Sequence, residues 1–97
     1  MKLISIVTAT DRKHKYTATI EERNGTKHKV HFGAAGYSDY TKHKDPERKH
    51  RYIIRHQKTE NWTKSGILTA GFWSRWILWN LPSYRDSVAD TKRRFNL

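Results

Sequence analysis

The sequence has no cysteine, only two prolines and one methionine, and few acidic residues, with nine Asp and Glu against 20 Lys and Arg. Without cysteine there is no disulfide, no thiolate nucleophile and no cysteine-ligated zinc, which removes the zinc-finger route to nucleic acid. The same lack leaves the redox compartment unread. Nowhere do apolar residues run together for the roughly 18 positions of a membrane span, and the apolar stretch at residues 3–7 is too short for a signal peptide. A soluble chain that is not secreted is expected. No repeat, low-complexity tract or linker divides the 97 residues, so the expectation is one basic domain over residues 1–97.

What is present is aromatic and cationic. A chain this short buries only about two-thirds of its potential surface, so the four Trp, five Tyr and three Phe are the natural core stock. The net charge of +11 favours phosphates, anionic lipid or an acidic protein surface, without choosing among them.

The first third reads as strands. Tyr16, Ala18 and Ile20 alternate with Thr17, Thr19 and Glu21, and His28, Val30 and Phe32 alternate with Lys27, Lys29 and His31. A three-residue loop between them opposes Ile20 to His28, Ala18 to Val30 and Tyr16 to Phe32, with Gly25 in the left-handed position of a bulged turn. Residues 2–8 supply a third strand. Helices follow. Asp45-Pro46-Glu47 is a start signal for a helix over 46–57 with a thin apolar stripe, chiefly Tyr52 and Ile53 with the stems of Lys49 and His56. A second helix over 70–79 carries Phe72, Trp73, Trp76, Ile77, Leu78 and Trp79. A third over 84–95 opens at Ser83 in a near capping box and places Tyr84, Val88 and Phe95 on one side. The expected fold class is α+β, a small antiparallel sheet followed by about three helices.

The densest functional feature is residues 42–58, where Lys42, Lys44, Arg48, Lys49, Arg51, Arg55 and Lys58 face only Asp45 and Glu47, a local excess of +5. Arg48, Arg51 and Arg55 follow i, i+3, i+7 spacing and so line one helical face, suited to a row of phosphates or carboxylates. The plain alternative is a solvated helix face. Trp73, Trp76 and Trp79 are either core filling or an anchor for a partner. Gly33 and Gly36 flank two alanines and read as a strand-to-loop turn rather than a phosphate-gripping loop. Six histidines show no pair at metal-site helical spacing. No nucleophile elbow, phosphate loop or carboxylate pair among apolar neighbours is present. No catalytic residue, metal or cofactor is therefore expected, and the chain reads as a binding protein rather than an enzyme.

One ordered series of motifs is distinctive: Val30-His31-Phe32-Gly33, Gly36-Tyr37-Ser38-Asp39-Tyr40-Thr41, His43-Lys44-Asp45, Arg48-Lys49, Arg55-His56, Glu60-Asn61-Trp62 and Thr69-Ala70-Gly71-Phe72-Trp73-Ser74. Over residues 28–95 the chain resembles a family of short basic proteins encoded by large nucleocytoplasmic DNA viruses of algae and protists. The resemblance implies a virion component, a minor capsid protein that bridges capsomers and partners the major capsid protein and other minor capsid proteins. It implies location in the capsid, and in host cytoplasm during assembly. It brings no catalytic residues. The alternative expectation is a nucleic-acid-binding protein that contacts phosphates without reading bases.

Overall fold

The alternation either side of Asn24-Gly25 sets the sheet. In a computed structural model that describes all residues from Met1 to Leu97, β2 (His14–Glu21) and β3 (Lys27–Ala34) pair antiparallel. Tyr16 lies opposite Phe32, Ala18 opposite Val30 and Ile20 opposite His28, which is the register of a three-residue loop. The Glu22 N–H donates to the Thr26 carbonyl at 2.8 Å, and Gly25 takes a φ of +88°, a conformation open to glycine because it has no Cβ. Each strand runs two residues beyond the expected 16–32 hairpin. β1 (Lys2–Thr8) pairs antiparallel with the other side of β2, giving the order β1-β2-β3, with a bulge between Leu3 and Ser5.

Four helices follow rather than three. α1 (Tyr40–His43) is a single turn that the sequence reading missed, capped by the Asp39 side chain. α2 (Pro46–His56) begins where Asp45, Pro46 and Glu47 direct, with the Asp45 carboxylate accepting the Glu47 N–H at 3.0 Å, and it ends one residue short of the expected 57. A 3₁₀ turn (Lys64–Gly66) leads to α3 (Ala70–Trp73). α4 (Tyr84–Phe95) is the helix expected there, with the Ser83 hydroxyl accepting the Asp86 N–H at 3.2 Å.

The expected single α-helix over 70–79 is corrected. After Trp73 the ladder widens into a π turn (Ser74–Leu78), closed by the Trp79 N–H donating to the Ser74 carbonyl at 3.1 Å. An i→i+5 closure takes one more residue than a 3.6-residue turn allows. Ile77 and Leu78 enter the core, while Trp76 meets Phe95 of α4 at 5.3 Å and Trp79 meets Tyr52 of α2 at 4.4 Å.

The core lies between one sheet face and this α–π segment. Phe32, Phe72, Trp73 and Ile77 are wholly buried, with Ala18 and Ile20 below them and Tyr84, Val88 and Phe95 of α4 packed at the margin. Gly33 lets the π turn approach β3 closely: its φ is +78°, and a Cβ there would lie 2.7 Å from Leu78 Cδ1. No helix is long and apolar enough to cross a membrane.

Candidate functional site

α2 is seated by aromatic rings rather than by an apolar stripe. Tyr52, its one buried residue, stacks on Trp79 with centroids 4.4 Å apart and planes 3° from parallel, lies near-parallel to Trp62 at 6.3 Å, and meets the His56 ring at 4.3 Å. Burial pushes its phenol pKa far up, with Glu60 adding to the effect. The inward cation, Lys49, donates to the Asn80 carbonyl at 2.6 Å and lies 5.1 Å from the Tyr40 ring; burial lowers its pKa. Lys44 donates to the Pro82 carbonyl at 2.8 Å. These contacts hold the helix while leaving its outer face free.

That outer face forms one wall of a cleft of about 700 Å³, to which α2 contributes Arg48, Arg51, Tyr52, Arg55 and His56. All three arginines are exposed, and none forms an ion pair within the chain. The facing wall carries Lys15 of β2, Tyr37, Asp39 and Glu60, above small residues that include Ala34, Ala70 and Gly71.

Both carboxylates of the cleft are already engaged. Asp39 is buried, accepts from Lys15 Nζ at 2.5 Å, and caps α1 through the Thr41 N–H at 2.9 Å. Glu60 bonds His56 Nδ1 at 2.7 Å and accepts from the Trp62 indole at 2.9 Å. Four cationic side chains against two carboxylates leave the cleft at +2 with His56 neutral, and the surplus sits on guanidinium groups that have nothing to bind. Such groups are planar donors matched to carboxylate or phosphate oxygens.

The seven cations of residues 42–58 therefore do not form one site. Arg48, Arg51 and Arg55 come together at the cleft, Lys44 and Lys49 are tethered to backbone carbonyls, and Lys42 and Lys58 are exposed outside it. The tryptophans divide too. Trp73 is core, its indole donating to the Ile67 carbonyl at 2.7 Å. Half-buried Trp76 has the Arg75 and Arg94 guanidiniums each 4.5 Å from its ring, and Trp79 borders the cleft.

Sequence reasoning missed Lys15, Tyr37, Asp39 and Glu60. Only the Tyr37 signal, a large aromatic beside the Gly33–Gly36 turn, was visible locally; its ring is 75 % exposed at the cleft. His43 stands behind the arginine wall. Its Nδ1 accepts the Asp45 N–H at 2.9 Å, its ring lies 5.3 Å from Trp79, and its Nε2 is buried without a partner. Desolvation lowers its pKa, helped by the Arg48 charge. No group of three His, Asp or Glu gathers at metal-binding distances.

Residues 4–56, more than half of the chain, match a family of unknown function, DUF5754, and the chain belongs to that family. The matched stretch contains most of the sheet, α1 and all of α2, hence Lys15, Tyr37, Asp39 and all three cleft arginines. No curated protein and no solved structure matches the chain.

Proposed function

We propose that this protein is a structural component of a large-DNA-virus particle, a minor capsid protein that bridges or cements capsomers by seating an acidic segment of a neighbouring capsid protein in the arginine-walled cleft. One observation carries the binding part of this reading: Arg48, Arg51 and Arg55 are held on a firmly seated helix without internal partners, while both carboxylates of the cleft are occupied. Arg, Tyr and Trp are the residue types that dominate interface energetics, and Arg48, Arg51, Arg55, Tyr37 and Trp79 all line this cleft. The cleft is short and concave with a partly apolar floor, which suits a protruding acidic loop better than the convex backbone of a duplex. The viral setting is supported by the resemblance over residues 28–95 to short basic proteins of large DNA viruses.

A second reading, non-sequence-specific binding of single-stranded nucleic acid, is favoured by Tyr37. An exposed ring beside a row of arginines is the combination that stacks a base while phosphates track the charge. Two measurements separate the readings. The capsid role requires the protein at fixed stoichiometry in purified, nuclease-treated particles, cross-linked through Arg48, Arg51 or Arg55 to a capsid protein. Absence from such particles removes it. The nucleic-acid role requires oligonucleotide affinity that falls steeply with salt, because bound phosphates release counterions. Negligible affinity at low salt removes that one.

A further inference from the structure

The two edges of the sheet are unlike. The exposed residues Lys27 and Lys29 of β3 put cations along its edge, the usual protection against unwanted strand pairing. β1 has a cation only at its first residue, Lys2: residues 3–8 carry no charge in a chain of +11, and nothing pairs with the outer edge of the strand. The bulge leaves Ile4 44 % exposed, and Val7 is 54 % exposed. Together with Met1 they make half of the exposed large hydrophobic side chains of the protein. Beside the strand runs a groove bordered by Ile4, Ile6, Tyr84, Arg85, Val88 and Lys92.

We infer that this edge is the docking surface for a second copy of the chain, the two β1 strands pairing antiparallel about Ile6 to make a continuous six-stranded sheet. Face matching admits that register and excludes those shifted by one residue, and an axis at Ile6 keeps Ile4 to Thr8 of both copies paired. Ile6 pairs with core-facing Ala18, while Ser5 and Val7 pair with Thr19 and Thr17 on the other face. A two-fold axis at Ile6 sets Ile6 against Ile6 and Ser5 against Val7, so opposed residues share a face as antiparallel pairing demands. Charge selects a copy of this chain as the occupant. The incoming strand adds no cation between residues 3 and 8 beside Arg85 and Lys92, the two cations of the groove. The interface is isologous and closes at two subunits. As a deepening of the bridging role, which it presupposes only for its purpose, the dimer carries two arginine clefts, one for each capsomer contacted.

The test is sedimentation equilibrium of the full chain from micromolar to several hundred micromolar. The wild type is expected to approach twice the monomer mass, and Ile4→Lys/Val7→Lys to raise the dimer dissociation constant by about tenfold or more, with unchanged circular dichroism. A register test uses the absence of native cysteine: mixed Ser5→Cys and Val7→Cys chains are expected to oxidise to a cross-linked heterodimer faster than either chain cross-links to itself. A wild type that stays monomeric throughout, a dimer untouched by the lysines, or self-linking as fast as cross-linking overturns the proposal. Binding of a glutamate-rich peptide by wild type and double variant alike reads the cleft separately, so failure of the edge and failure of the cleft give different results.

Discussion

α2 and the segment from Ala70 to Leu78 are both short, both mix aromatic rings with arginine, and meet at the Tyr52–Trp79 stack, yet they end in opposite states. The segment buries Phe72, Trp73, Ile77 and Leu78, and its one cation is consumed internally. Arg75 donates to the Trp79 carbonyl at 2.8 Å and lies against the Trp76 ring, and burial lowers its pKa. α2 buries only Tyr52 and keeps three arginines without partners. A cation is committed inside the fold when aromatic faces and carbonyls enclose it, as for Arg75 and for Lys49 of α2, and remains available when it lies on the face of the helix turned away from those partners. The first segment holds the domain together, and the second presents charge.

The largest effect that tests this contrast is Trp73→Ala. Loss of a wholly buried ring and of its bond to the Ile67 carbonyl is expected to cost about 3–5 kcal/mol, read from urea unfolding. A cost below about 1 kcal/mol would put the segment on the same footing as α2. Next is Gly33→Ala, which combines a positive φ with a clash at Leu78. A loss of about 1–3 kcal/mol is expected, and a neutral outcome would show that the seam between β3 and the π turn yields.

A smaller effect concerns pH. His43 has its folded pKa depressed below 6.5, first by desolvation and then by Arg48, so the folded state prefers the neutral ring. Below about 6.5 the unfolded chain takes up a proton that the folded ring resists. The His43 contribution is therefore complete above that pH and is lost as pH falls through the range beneath it. His43→Asn keeps an acceptor for the Asp45 N–H and removes the titration. The fall in Tm on acidification below pH ~6.5 is expected to be shallower in the variant, and an unchanged slope would show that His43 is not the group responsible. Smallest in stability is Arg48→Ala/Arg51→Ala/Arg55→Ala, each within about 0.5 kcal/mol of wild type, while peptide or oligonucleotide binding at the cleft is lost. A marked drop in Tm would mean that these arginines hold the fold after all.

Much of the site was readable one wall at a time. The i, i+3, i+7 spacing of Arg48, Arg51 and Arg55 places them on one face whatever α2 packs against, and they do share the cleft. The opposite wall had no such signal. Lys15 follows β1 closely in sequence, Asp39 precedes a helix of four residues, and Glu60 follows α2; the Lys15–Asp39 bond spans 24 positions. Lys44 and Lys49 looked like members of the basic face because nothing near them in sequence shows that the carbonyls of Pro82 and Asn80 will meet them.

Near neighbours along the chain suffice for the hairpin register, through alternation and Gly25, for the starts of α2 and α4, through Asp45-Pro46 and Ser83, and for the arginine row. These follow from backbone sterics, cap hydrogen bonds and helical periodicity, all acting within a few residues. The assembled fold is needed for the widening of the tryptophan segment into a π turn, for the choice of which cations stay free, and for the placing of Tyr37, Asp39 and Lys15 opposite α2 across a cleft. Those outcomes depend on which rings and carbonyls the folded chain brings together from distant positions, and no local pattern encodes that meeting.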